Sequence, residues 1–99
     1  DLKTLRDKIE LYYRFGRIYD MMNKFDDALL NYQRAINLGK NQTYYFAANS
    51  ALRSGSIYEY IKDYKKATDY YNMALEMRNH EYQNGIDTQA KEGLRRLNE

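Results

Sequence analysis

The sequence predicts an all-α chain of antiparallel helix pairs: a helical solenoid of two repeats closed by a C-terminal capping helix. Three observations carry this. The 99 residues contain no proline, so nothing forbids long uninterrupted helices. Shifting the sequence against itself by 39 positions brings Gly16 onto Gly55, Ile18 onto Ile57, Tyr19 onto Tyr58 and Phe25 onto Tyr64. The same shift brings Ala28 onto Ala67, Tyr32 onto Tyr71 and Ala35 onto Ala74. Within each copy the small and apolar residues recur three and four apart, the spacing of one helix face, and no segment alternates as a strand would.

The elements follow in order. The first helix, expected over about residues 3–22, carries Tyr12, Phe15, Gly16 and Tyr19 on one stripe, which Leu2, Leu5 and Ile9 continue backward. A turn at Met22-Asn23-Lys24 ends it, because asparagine tolerates the left-handed conformation, and Asp26 or Asp27 can cap the second helix. That helix, about 25–38, buries Ala28, Leu29, Tyr32, Ala35 and Ile36. Gly39 and Asn41 stop it, and Thr43 is read as the start of the third helix, about 43–60. There Tyr44 continues a buried stripe of Ala47, Ala48, Ala51 and Gly55, while Tyr45 falls in line with Asn49, Leu52, Ser56 and Glu59. Asp63 is the expected cap of a fourth helix, about 64–78, with Ala67, Tyr71 and Ala74 inward. After a polar turn from Asn79 to Gly85, a fifth helix, about 86–98, shows one apolar stripe (Ile86, Ala90, Gly93 or Leu94, Leu97) and one wet one. An end helix of a solenoid needs that division.

Composition narrows the function. Sixteen basic and fourteen acidic residues leave a net charge of +2, too small and too evenly spread to predict binding to nucleic acid. No apolar run approaches 18 residues, so no membrane insertion is expected. With no cysteine, no tryptophan and a single histidine, most nucleophilic and metal-dependent chemistries lack their parts, and no cofactor is expected. His80-Glu81 lacks the second histidine of a zinc helix and reads as a loop histidine. Asn41-Gln42-Thr43 fits a glycosylation acceptor, but a helix cap explains Thr43 more cheaply. Twelve tyrosines instead give a small chain a large apolar payload. The chain begins at Asp1 and is expected to be processed or part of a longer array; its compartment is not legible.

The stripe Tyr12-x2-Phe15-Gly16-x2-Tyr19, followed by Ala28-x3-Tyr32 and Ala35, resembles the tetratricopeptide repeat. The second copy carries Gly55, Tyr58, Ala67, Tyr71 and Ala74, but Ala51 and Ser54 stand where large residues are usual, and neither copy ends in the family's proline. The family period is 34. Here it is 39, and the five extra residues are expected to lengthen the third helix through Tyr44-Tyr45-Phe46, against the over-long first helix. The chain reads as one domain, with repeat one at about 9–40, repeat two at about 43–79 and the cap beyond. The Tyr-Phe-Ala-Ala-Asn run at 45–49 and the closing helix also resemble the terminal repeats of long tetratricopeptide proteins of Bacteroidetes bacteria.

The resemblance implies a non-catalytic scaffold that takes a peptide or protein segment on the concave face lined by the first helix of each pair. Carried over, that face holds Tyr13, Arg17, Asp20 and Met21 in copy one, and Tyr45, Asn49, Leu52, Arg53, Ser56, Glu59 and Tyr60 in copy two. The expected groove has a basic centre at Arg17 and Arg53, acidic ends at Asp20 and Glu59, and aromatic walls. One subfamily clamps a carboxyl terminus with lysine and asparagine; Tyr13, Arg17 and Arg53 replace them here, so that specificity does not carry over, although arginine can fork a carboxylate. The alternative is a structural end cap, or a self-associating module in which two copies meet through the N-terminal helix. Base reading by helical repeats is weaker still, because no regular polar code recurs.

Overall fold

The computed structural model describes residues 1–99 apart from the side chain of Leu2. Five helices follow one another: α1 (Leu2–Met21), α2 (Phe25–Gly39), α3 (Phe46–Tyr60), α4 (Tyr64–Glu76) and α5 (Gln83–Leu97). The molecule measures 45 × 29 × 17 Å, and its thin dimension is two helices deep.

Both hairpin turns are built alike. Asn23 (φ 58°) and Lys62 (φ 68°) take the left-handed conformation, and the next amides close back on the helix: Lys24 N–H on the Tyr19 carbonyl and Asp63 N–H on the Tyr58 carbonyl, both at 2.9 Å. Asp63 caps α4 as expected, accepting the Lys66 amide at 3.2 Å. Neither Asp26 nor Asp27 caps α2. Lys24 holds the cap position without a side-chain bond, and both aspartates lie in the first turn, where they complement the helix dipole.

Helix pairs lock through glycine and tyrosine. Tyr32 and Tyr71 are completely buried, and each ring lies flat against a glycine of its own first helix. A Cβ on Gly55 would stand 2.7 Å from the Tyr71 ring, and one on Gly93 of α5 would meet the other side of that ring at 2.5 Å. Gly16 stands in the same relation to Tyr32. Glycine thus makes room for a ring, and the alanines Ala28, Ala35, Ala67 and Ala74, all fully buried, bring the helices together around it.

Three further expectations change. The extra residues do not extend α3: residues 40–45 form a loop, α3 starts at Phe46, and Thr43 caps nothing. A helix would fan Tyr44, Tyr45 and Phe46 around 100° steps, sending one ring into water. The loop instead gathers them, with Tyr45 4.6 Å from Phe46 and 5.6 Å from Tyr13, and Tyr44 6.3 Å from Phe46. The N-terminal extension of α1 does meet this cluster, since the Arg6 guanidinium lies 5.4 Å over the Phe46 ring. Tyr13 and Phe15 exchange roles: Tyr13 is buried under α3, while Phe15 is 42% exposed. Leu52, expected on the open face, is also core.

Candidate partner-binding groove

Backbones of α1 and α3 approach each other, as do those of α3 and α5, whereas α2 and α4 stay apart. A stack tighter on one side curves toward that side, so α1, α3 and α5 line the inner face. The closing helix α5 therefore supplies a third groove wall as well as a cap.

Most charges on this face are already matched. Asp20, buried at the end of α1, accepts the Tyr32 hydroxyl at 2.8 Å and two donors of Arg53, Nε at 3.2 Å and Nη2 at 3.1 Å. One period later Glu59 accepts the Tyr71 hydroxyl at 2.7 Å and a two-pronged Arg96 at 3.0 Å on each oxygen. The clasp repeats: an acid on one first helix, a tyrosine from the second helix, and an arginine from the next first helix. Burial and the adjoining carboxylate push the Tyr32 hydroxyl well above the ordinary tyrosine range and raise the Tyr71 hydroxyl in the same direction. The Arg96 hydrogen bonds hold the Glu59 carboxyl below its usual value, against a smaller opposing effect of burial. The free acidic ends read from sequence are therefore internal ties.

Arg17 is the cation left over. Its Nη1 donates to the Tyr13 hydroxyl at 3.1 Å, and Asn49 donates to the same oxygen at 2.7 Å. The buried Arg17 Nε has no partner. Its bond to Tyr13 raises the guanidinium pKa above its ordinary value, against a smaller opposing effect of burial.

Two hollows flank this centre. One, about 300 Å³, is lined by Asp20, Arg53, Ser56 and Tyr60, together with Asn23, Phe25 and Ile57. Tyr60 is 73% exposed, its ring edge-on to Phe25 at 5.5 Å. The other, about 330 Å³, joins Tyr45 and Asn49 to Tyr82, Gly85, Ile86 and Gln89. Of the eleven groove residues expected from sequence, six thus line hollows, Tyr13 and Arg17 form the bridge, Glu59 and exposed Met21 line neither, and Leu52 is core.

Sequence reasoning missed the α5 wall because that helix is displaced by 43 residues, not 39. The signal is present: a shift of 43 brings Ala47 onto Ala90 and Arg53 onto Arg96. His80 is a loop histidine, its ring nitrogens 3.0 and 2.8 Å from the Met77 and Glu81 carbonyls. Among the described residues no cluster of acidic, histidine or cysteine side chains has metal-binding geometry, and no helix is long and apolar enough to cross a membrane.

Comparison with known proteins agrees with this architecture. The family model described as tetratricopeptide repeat matches residues 9–41 and 48–81. Anaphase-promoting complex subunit 3 of Schizosaccharomyces pombe is 35% identical over 80 residues. The match takes in 76% of this chain and 11% of that protein, so the chain spans about a tenth of that relative's length. No solved structure matches.

Proposed function

Because the chain belongs to the tetratricopeptide repeat family, a family of generally non-catalytic protein-interaction scaffolds, we propose that its inner face holds a peptide or protein segment bearing a carboxylate beside an apolar side chain. The observation that carries this is Arg17. With Asp20 matched by Arg53 and Glu59 by Arg96, Arg17 is the groove's unmatched charge: it forms no ion pair, and Tyr13 takes only one of its donors. A carboxylate completes that donor set. The aromatic hollow of Phe25 and Tyr60 takes the apolar neighbour. The relative is by name a subunit of a larger complex, which supports a scaffold role.

Selection from a random peptide-display library on the immobilised chain tests the reading. Sequences with one acidic residue next to a large apolar one are expected, and their capture falls on Tyr60→Ala and on Arg17→Gln while helical circular dichroism is unchanged. Selected peptides that bind both variants equally would place recognition elsewhere.

A second reading, self-association through α1, has its own support. Ser50, Ser54 and Ile57 of α3 are buried, while their counterparts one period earlier, Leu11, Phe15 and Ile18, are 50%, 42% and 52% exposed. These three side chains form a continuous apolar stripe at coiled-coil spacing.

A further inference from the structure

The residues by which the two periods, 39 and 43, exceed the family's 34 open a cleft on the outer face. Two six-residue connections, 40–45 and 77–82, lie side by side. The Glu81 amide donates to the Thr43 carbonyl at 2.9 Å, and the Tyr45 and Tyr82 rings meet edge to face at 5.2 Å. Behind this joined platform α2 and α4 diverge, bridged by the Tyr70 hydroxyl on the Gln33 amide oxygen at 2.7 Å. The space between them is a cleft of about 630 Å³, larger than either hollow of the inner face and within the range of small-ligand sites.

Its lining is chemically specific. Ile36, Met73 and Met77 form an apolar floor. The rim carries five carboxamides: Gln33 and Asn37 from α2, Asn41 and Gln42 from one connection, and Asn79 from the other. Gln33 donates to the Asn37 oxygen at 2.9 Å, which leaves the Asn37 amide donors without a partner in the chain. Charge nearly cancels, because Lys40 is offset by Glu76 and Arg78 is tied to Asp87 at 2.7 Å.

We infer that this cleft binds an uncharged, extended peptide segment, with its main chain on the carboxamide rim and one apolar side chain on the methionine floor. A carboxamide offers both a donor and an acceptor, which is the pairing a peptide group presents. Methionine adapts to varied apolar shapes. A phosphate ligand lacks a free cation cluster here, and a sugar or base lacks an aromatic ring to stack on, since none lines the cleft.

The four methionines make the test direct. In the 99-residue chain labelled with methyl-¹³C methionine, an acetylated and amidated heptapeptide of alternating serine and leucine is titrated. The Met73 and Met77 methyl signals are expected to move saturably, while Met21 and Met22, at the α1–α2 turn, stay in place. Asn37→Ala or Asn41→Ala is expected to raise the midpoint about fivefold, the worth of one hydrogen bond. Absence of a saturable shift, equal movement of all four methyls, unchanged midpoints in both variants, or a response to maltose but not to the peptide would overturn the inference. Because Arg17→Gln leaves this cleft untouched, peptide shifts that persist in that variant separate this site from the inner groove.

Discussion

Arg96 of α5 holds Glu59 of α3 through two parallel hydrogen bonds of 3.0 Å, one to each carboxylate oxygen, and so ties the last helix to the groove wall. The same carboxylate takes the hydroxyl of buried Tyr71. One side chain therefore links α3, α4 and α5, and Asp20 links α1, α2 and α3 in the same way.

Acid should loosen α5 first. The folded Glu59 carboxyl titrates below its ordinary value of 4.5, so its contribution is complete above that pH and is lost as pH falls through the folded value. The pair is partly exposed, which limits the effect to about 1 kcal/mol after solvent screening. Amide exchange in α5 should rise below pH 4.5 relative to α2, and Glu59→Gln should abolish that difference.

The Asp20 clasp divides into parts of unequal size. Tyr32→Phe removes one donor and should cost about 1 kcal/mol. Asp20→Ala strands the buried Tyr32 hydroxyl and one side of Arg53, and should cost about 1–3 kcal/mol. Urea unfolding of the two variants and of the double variant measures the coupling.

Glycine substitutions should change sign with position. Gly55→Ala drives a methyl group into the Tyr71 ring and should destabilise by about 1–3 kcal/mol despite better helix propensity. Gly85→Ala, in the first turn of α5 with nothing within 4 Å, should stabilise by about 0.5–1 kcal/mol. Thermal melts of both variants decide.

Lys62 carries a strained backbone at φ 68° where the matching turn has Asn23. Lys62→Gly removes the Cβ clash of the left-handed region and should stabilise by about 1 kcal/mol, read as a higher urea midpoint.

Sedimentation across a dilution series tests association through α1. A mass that rises with concentration and becomes constant in Phe15→Glu is expected from the half-exposed Leu11, Phe15 and Ile18.

What sequence alone determined was everything local or periodic. Helix identity, the two turns, the capping Asp63 and the core tyrosines follow from spacing and backbone preference, which act within a few residues. The inner face was legible as a set of positions but not as a surface. Whether Asp20 is a free charge or a buried acceptor depends on Arg53, 33 residues away; whether Tyr13 is exposed depends on α3 lying across it. Tertiary structure alone decided those pairings, the third wall from α5 and the loop at 40–45. Hydrogen bonds and ring contacts between distant segments have no period for a sequence to display; they exist only once packing has brought the partners together.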